Sequence, residues 1–266
     1  MRFGGGVKGR VFLVGAGPGD AELLTLKAVR VIRSATVLLV DDLVSDEVLA
    51  YANANARVVY VGKRGGCAST PQAFIEKLMV SQALAGETVV RLKGGDPFIF
   101  GRGGEEVEHL RSHGIEVDVV NGITSGLAAV TSMGVPLTHR THAHGVIFVT
   151  GHVTPHKDGV DWSQLAQTAH QSRLTLVIYM GVKACAHIQV GLLNGLPKDT
   201  PVLIVQNASL PTQRQESSQL DQLVDTINKK ELQSPCIIVV GDVLKGLATL
   251  SSQPPVACEN THLTAT

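Results

Sequence analysis

The chain is poor in aromatic residues and carries no net charge. Aromatic side chains make up 4% of its 266 residues, and 23 Lys and Arg balance 23 Asp and Glu. Nucleic-acid-binding proteins stack bases on aromatic rings and attract phosphates with a basic surface, so this composition argues against a nucleic-acid partner. A neutral chain also has no long-range attraction to an anionic membrane. An anionic small molecule would therefore have to be bound by a local cluster of cations.

Paired cysteines and long apolar runs are also missing. The four cysteines are widely scattered and none forms a C-x-x-C pair, which argues against a structural zinc site and a disulfide framework. The first ten residues lack the apolar stretch of a signal peptide, and no apolar run reaches the roughly 20 residues that span a bilayer. We therefore expect a soluble, reduced, cytoplasmic protein with no membrane partner.

The apolar residues that are present predict alternating strands and helices in two sets. Predicted strands of the first set cover residues 11–14, 36–40, 58–61, 88–92 and 117–120, and those of the second cover 145–150, 174–180, 201–206 and 236–240. Apolar strands separated by helices are typical of mostly parallel sheets covered on both faces. The sequence thus predicts an α/β fold with an N-terminal domain at 9–121, a C-terminal domain at 122–250 and a disordered tail at 251–266.

The most informative segment is RLKGGDPFIFGRGGEE, residues 91–106. Its glycines and proline cannot form a helix interior or a central strand, so they predict a backbone that turns tightly and approaches a ligand closely. The charged residues among them, Asp96, Arg102 and Glu105, are unusual for a mere turn. Arg102 and Glu105 lie three apart at the start of a predicted helix, where they could form either a surface ion pair or part of a site.

Other polar residues follow the ends of the first three strands. The first strand leads into GAGPGD, whose spacing departs from the G-x-G-x-x-G dinucleotide fingerprint and whose Pro18 lacks the backbone N–H that a pyrophosphate would bind. Asp41 and Asp42 follow the second strand, at the edge where open α/β sheets bind ligands. We interpret Asp42 as a helix N-cap. Lys63 follows the third strand in a glycine-rich loop, either an anion site or a solvated turn.

Later in the chain, Thr124 lies in a loop before a helix of small residues, where an N-cap is the alternative to a ligand contact. Arg140 could clamp a carboxylate, because its guanidinium pairs with both oxygens. His139, His142 and His144 cluster nearby, but no Cys or carboxylate joins them, so we expect no metal site.

Taken in order, these motifs resemble those of the tetrapyrrole methylases over nearly the whole chain, residues 9–247. The matching strings are GAGPGD, VDDLV, GKRGG, RLKGGDPFIFGRGGEE, GITSG, GVPLTHR, YMG and QNAS. The resemblance implies two α/β domains in a class III methyltransferase-like arrangement, with the active cleft between them and a homodimeric assembly. It also implies S-adenosyl-L-methionine as cofactor and S-adenosyl-L-homocysteine as its product.

The same resemblance implies a reaction and a set of site residues. The reaction would methylate uroporphyrinogen III at C2 and C7, giving precorrin-2 by way of precorrin-1 and releasing two S-adenosylhomocysteine. Asp41, Lys63 and Arg102 are the expected catalytic residues, and Arg102, Glu105 and Arg140 the expected substrate contacts. The expected cofactor contacts are Pro18, Gly94, Gly95, Asp96, Ile99, Thr124, Ser125, Met180 and Ala208.

Two alternatives remain open at this point. One is a methyltransferase of the same fold that acts on a later corrin precursor or on a translation-factor side chain. The other is a nicotinamide oxidoreductase, which the spacing around Pro18 disfavours. The sequence also leaves open whether the product would feed siroheme, cobalamin or haem d1.

Overall fold

The computed structural model describes residues 9–62, 70–152 and 159–246, which form two five-stranded sheets. The first sheet has the order β3-β2-β4-β1-β5, and every neighbouring pair of strands is parallel. Its strands are β1 (Arg10–Gly15), β2 (Val37–Val40), β3 (Arg57–Tyr60), β4 (Thr88–Lys93) and β5 (Val117–Val120).

Helices cover both faces of this sheet. They are α1 (Leu26–Ser34), α2 (Asp46–Leu49), α3 (Gln72–Leu84) and α4 (Gly103–Ser112). The helices α1 and α2 pack on one face and α3 and α4 on the other. The chain leaves the adjacent strands β1 and β4 in opposite directions, toward β2 and toward β5. Such a reversal opens a crevice at the carboxyl ends of the strands, where α/β sheets bind their ligands.

The second sheet has the order β6-β7-β10-β8-β9 and mixed directions. Its strands are β6 (Gly145–Thr150), β7 (Leu174–Tyr179), β8 (Pro201–Gln206), β9 (Arg214–Gln219) and β10 (Cys236–Val240). Only β6 and β7 pair in parallel, because β10 runs against both β7 and β8, and β9 runs against β8. The helix α5 (Ser125–Thr131) packs on one face, and α6 (Trp162–Ser172), α7 (Cys185–Leu193) and α8 (Leu223–Lys229) pack on the other.

The predicted α/β class and the two sheets are confirmed, with differences in detail. The strand β9 was not predicted, because its sequence RQESSQ is polar and it lies at a largely exposed edge. The helix α1 begins at Leu26, where the Thr25 hydroxyl accepts a hydrogen bond of 3.1 Å from the Ala28 N–H.

The predicted domain boundary near residue 122 stays a prediction. Its support is that Ala129 and Val130 of α5 belong to the apolar cluster of the second sheet. Residues 251–266 lie outside the described part of the chain. Among the helices of residues 9–62, 70–152 and 159–246, none is long and apolar enough to cross a membrane.

Candidate active site

A large cavity lies where loops at the carboxyl ends of the first sheet meet loops of the second sheet. Its volume is about 790 Å³, within the range of about 300–1,000 Å³ that is usual for small-molecule sites. The first sheet contributes Gly17 and Pro18 after β1, residues 41–45 after β2, and residues 93–96 at the end of β4. The second sheet contributes Tyr179 and Met180 at the end of β7, Asn207 and Ala208 after β8, and Cys236 of β10. We call this space the main cavity.

The loop after β4 packs backbone to backbone on the loop after β1. The Gly95 N–H donates to the Gly17 carbonyl at 2.6 Å, and the Gly17 N–H donates back to the Gly95 carbonyl at 3.2 Å. Gly95 has φ +68°, a left-handed conformation that glycine adopts at little cost. A Cβ added at Gly95 would meet nothing nearer than Thr124 Cα at 3.7 Å beyond its chain neighbours. Gly95 therefore leaves free space beside the backbone that a ligand can occupy.

Asp96 holds the neighbouring loops in shape. Its side chain is buried, and one oxygen accepts a hydrogen bond of 2.8 Å from the Phe98 N–H. The other accepts from the Asn121 amide at 3.2 Å and from the Gly122 N–H at 3.1 Å. Asp96 lines the main cavity, but both of its oxygens already accept hydrogen bonds from the protein.

A buried hydrogen bond joins the two halves of the cavity wall. The hydroxyl groups of Thr124 and Tyr179 lie 2.7 Å apart, and the Gly126 N–H donates to the Tyr179 oxygen at 3.0 Å. Burial raises the pKa of Tyr179, so the phenol stays neutral. Thr124 stands at the N-cap position of α5 but makes no side-chain capping bond, because its hydroxyl bonds to Tyr179 instead.

Strained backbone is concentrated around this cavity. Five residues other than glycine near the cavity have left-handed φ angles between 53° and 67°, and they are Phe100, Arg102, Met180, Asn207 and Ser209. Phe100, Met180 and Asn207 line the main cavity. Such conformations are costly for L-residues and cluster at functional sites, which supports this region as the active site.

A smaller cavity of about 380 Å³ adjoins the main one. The residues that line both are Asp41, Asp42, Lys93, Phe100 and Gly101. The interpretation of Asp42 as an N-cap is wrong, because Ser45 occupies the N-cap position of α2. Arg102 lines the smaller cavity, and its Nη2 lies 2.5 Å from Glu105 Oε2. This bond raises the pKa of Arg102, which therefore stays a cation.

Behind Asp41 lies a cluster of charges that sequence reasoning missed. The Glu106 carboxylate is fully buried, and its Oε1 accepts hydrogen bonds from Lys93 at 3.1 Å, Gln72 at 3.0 Å and Arg91 at 3.4 Å. Burial, reinforced by repulsion from Arg91, lowers the pKa of Lys93. The signal was present in the sequence, since Arg91 and Lys93 lie two apart on one face of a central strand and require a buried anion.

The structure brings most of the predicted site residues together. The nine predicted cofactor contacts all line the main cavity, and Asp41 lines both cavities. Glu105 reaches the site through its ion pair with Arg102. Arg140 is exposed and lines neither cavity, and Lys63 lies outside the described residues. Within the described ranges, no group of three or more His, Cys, Asp or Glu side chains could hold a metal ion.

Comparison with known proteins gives consistent matches over most of the chain. The sequence pattern of the family described as Tetrapyrrole (Corrin/Porphyrin) Methylases matches residues 10–224. A uroporphyrinogen-III C-methyltransferase of Pseudomonas aeruginosa is 51% identical over 249 residues, which are 93% of this chain and 98% of that protein. A siroheme synthase of Actinobacillus pleuropneumoniae serotype 7 is 47% identical over 240 residues, 90% of this chain but 48% of that longer protein.

A solved structure shows the same fold. The uroporphyrin-III C-methyl transferase of Thermus thermophilus, crystallised in complex with S-adenyl homocysteine, superposes with a TM-score of 0.75 at 44% sequence identity. The match covers 89% of this chain and 99% of that one.

Proposed function

The chain belongs to the family of tetrapyrrole (corrin/porphyrin) methylases, and from that premise we propose that it methylates uroporphyrinogen III with S-adenosylmethionine. It transfers two methyl groups, to C2 and C7, and releases precorrin-2 by way of precorrin-1 together with two S-adenosylhomocysteine. The observation that carries this proposal is the 51% identity to a uroporphyrinogen-III C-methyltransferase along almost the full length of both chains.

The main cavity fits S-adenosylmethionine in size and in charge. The free space beside Gly95 admits a ligand to the backbone, and Pro18, Ile99, Met180 and Ala208 supply apolar walls. Among the described lining residues the only cation is Lys93, whose charge is compensated by Glu106, so a sulfonium would meet little repulsion. When bound, S-adenosylmethionine supplies an electrophilic methyl group. The contribution of the chain is to align that group with an electron-rich pyrrole carbon and to exclude water.

Asp41 is the residue that we assign to proton transfer. Methylation of a pyrrole carbon leaves a cation that must lose a proton elsewhere on the macrocycle. The Asp41 carboxylate is about one-third exposed and borders both cavities, so it can accept that proton from a bound tetrapyrrole. Lys63 is proposed to stabilise the anionic substrate or return a proton, on the basis of the family resemblance.

Arginines are proposed to bind the carboxylates on the rim of the tetrapyrrole. Arg102 lies at the smaller cavity with Glu105 holding its guanidinium, which leaves other N–H groups for a substrate carboxylate. Arg140 is exposed and is assigned the same role on the basis of the resemblance. A neutral protein needs such local cations to hold a polycarboxylate substrate.

The assembly and location of the enzyme are further parts of the proposal. We propose a cytoplasmic homodimer with an N-terminal domain at 9–121 and a C-terminal domain at 122–250. The support for the domains is that each sheet has apolar clusters of its own on both faces. Sedimentation of the purified protein tests the dimer, and a monomer at assay concentrations would contradict it.

The function is tested by anaerobic incubation of the protein with uroporphyrinogen III and S-adenosylmethionine, followed by mass spectrometry. We expect a product with two added methyl groups and two S-adenosylhomocysteine for each tetrapyrrole. Omission of S-adenosylmethionine is the control. A protein that binds S-adenosylhomocysteine but leaves uroporphyrinogen III unmethylated would contradict the proposed substrate and favour a later corrin precursor.

A further inference from the structure

The buried charges behind Asp41 form a connected network that ends at the Asp41 carboxylate. Arg91 is 3% exposed, and its Nε donates to Glu106 Oε1 while its Nη2 donates to Asp41 Oδ2, both at 3.4 Å. Its Nη1 donates to the carbonyls of Leu39 and Leu92, at 3.3 and 3.1 Å. The guanidinium is therefore fixed by groups of β2, β4 and α4 and has little freedom to rotate.

Both oxygens of Asp41 are held by the protein. Oδ1 accepts a hydrogen bond of 2.9 Å from the Asp42 N–H, and Oδ2 accepts the bond from Arg91. The backbone of Asp41 is fixed as well, because its N–H donates to the Leu92 carbonyl at 3.1 Å. An aspartate that is about one-third exposed would otherwise sample several rotamers, so these bonds define one direction for its remaining lone pairs.

The charges of the cluster balance only when Asp41 is included. Arg91 and Lys93 are two cations, and Glu106 is one fully buried anion. Asp41 is the second anion, and it is the most exposed member of the cluster, with its carboxylate at the border of both cavities. The buried part of the network thus presents a net positive charge to the Asp41 carboxylate and attracts it to one position.

We propose that Arg91 is a positioning residue for the methyl-transfer reaction, which holds the Asp41 carboxylate toward the junction of the two cavities and is itself oriented by Glu106. This inference rests on the proposed function and extends it, since it assigns a catalytic purpose to the buried charges that contact the Asp41 carboxylate. Residues that bond to a catalytic side chain commonly determine how precisely that side chain is placed.

A double-mutant cycle of Arg91→Met and Asp41→Asn tests the proposal. We expect Arg91→Met to lower kcat by about 10- to 100-fold, the usual cost of a misplaced catalytic group. KM for uroporphyrinogen III and the affinity for S-adenosylhomocysteine should stay at wild-type values. The double variant should have the same kcat as Asp41→Asn alone, because Arg91 then has no carboxylate left to position.

A matched control is Arg10→Met. Arg10 lies at the other end of the first sheet, in an exposed ion pair of 2.6 Å with Glu116, and its loss should leave kcat unchanged. Arg91→Lys is the second variant, in case methionine prevents folding, because a single ammonium group cannot bond to Glu106, Asp41 and two carbonyls together. If neither Arg91 variant folds, the network serves stability alone and the proposal is overturned.

Three other results would also overturn it. These are a normal kcat in a folded Arg91 variant, losses that multiply in the double variant, and a normal kcat in Asp41→Asn. A crystal structure of the Arg91 variant gives a readout independent of activity, since an unchanged Asp41 rotamer contradicts the proposal. Failure of the wild-type protein to methylate uroporphyrinogen III would instead refute the proposed function, and the rotamer would still decide the role of Arg91.

Discussion

Replacement of Gly95 by valine separates cofactor binding from folding. Gly95 has φ +68°, and an added Cβ would meet only Thr124 and Ser125 at 3.7 and 3.9 Å, which is ordinary van der Waals contact. The new Cβ therefore does not collide with the surrounding loops. Its methyl groups would enter the space beside the backbone that we assign to S-adenosylmethionine.

The two costs of this substitution can be estimated separately. A left-handed conformation costs an L-residue about 1–2 kcal/mol, which lowers Tm by about 2–8 °C for a chain of this size. The total stability of a domain is about 5–15 kcal/mol, so the variant should fold. Forcing a ligand against extra methyl groups costs about 1–3 kcal/mol, which weakens binding by about 5- to 150-fold.

Gly134→Val is the matched control. Gly134 has φ +64°, and a Cβ added there would meet no atom within 4 Å, so it carries the same backbone cost away from the cavity. We expect both variants to lose similar thermal stability in calorimetry, while only Gly95→Val loses affinity for S-adenosylhomocysteine in titration calorimetry. Wild-type affinity in Gly95→Val would refute the assignment of the cofactor to this loop.

Four further predictions concern charged and titratable side chains. Asp41→Asn should lower turnover by about 100-fold or more while S-adenosylhomocysteine still binds; unchanged turnover would remove Asp41 from the mechanism. Arg102→Ala and Arg140→Ala should each raise KM for uroporphyrinogen III by about 10-fold or more, with the cofactor affinity as control; normal values would make these arginines structural or solvent-facing. Burial lowers the pKa of Lys93 from the ordinary lysine value of 10.5. At pH values between the lowered pKa and 10.5, Lys93 is protonated in the unfolded chain but not in the folded one, so the free energy of unfolding rises with pH. Lys93→Met should remove this rise when the free energy of unfolding in urea is measured at pH values up to 10.5. An unchanged dependence of that free energy on pH would contradict the assignment of the rise to Lys93. Burial raises the pKa of Cys236 to about 12, so a maleimide should label its peptide only after unfolding, as mass spectrometry can check; labelling of the native protein would show that the thiol is accessible.

The sequence predicted the parts of the fold that local patterns of residues determine. Apolar runs predicted every strand of the two sheets except β9, and glycines after β1 and β4 predicted the two loops that meet at Gly17 and Gly95. The direction of β10 was not predictable in this way, because a strand buried on both faces is apolar whichever way it runs. The edge strand β9 was missed for the opposite reason, since its solvent-exposed faces leave no apolar signal.

The residues of the candidate site likewise divide into those that local sequence patterns predicted and those that only the folded structure shows. Residues such as Gly94 and Met180 follow strand ends, so the parallel topology predicts that they meet at one edge of a sheet. Glu106 stands in a polar helix, and only the packing of α4 against β4 shows that its side chain is completely buried. Asp42 seemed suited to begin a helix, but α2 starts later and leaves Asp42 at the cavities.

The strained residues around the main cavity bear on how this chain would respond to selection. Glycine would adopt the left-handed conformations of Phe100 and Met180 without strain, which would recover about 1–2 kcal/mol at each position. A library of variants selected for heat resistance alone should therefore accept glycine at these positions wherever the loss of side-chain packing costs less than the strain energy that glycine recovers. A library selected for turnover should reject it, because these side chains line the cavity. Thermal improvement of this enzyme is better sought elsewhere, since here the two selections oppose each other.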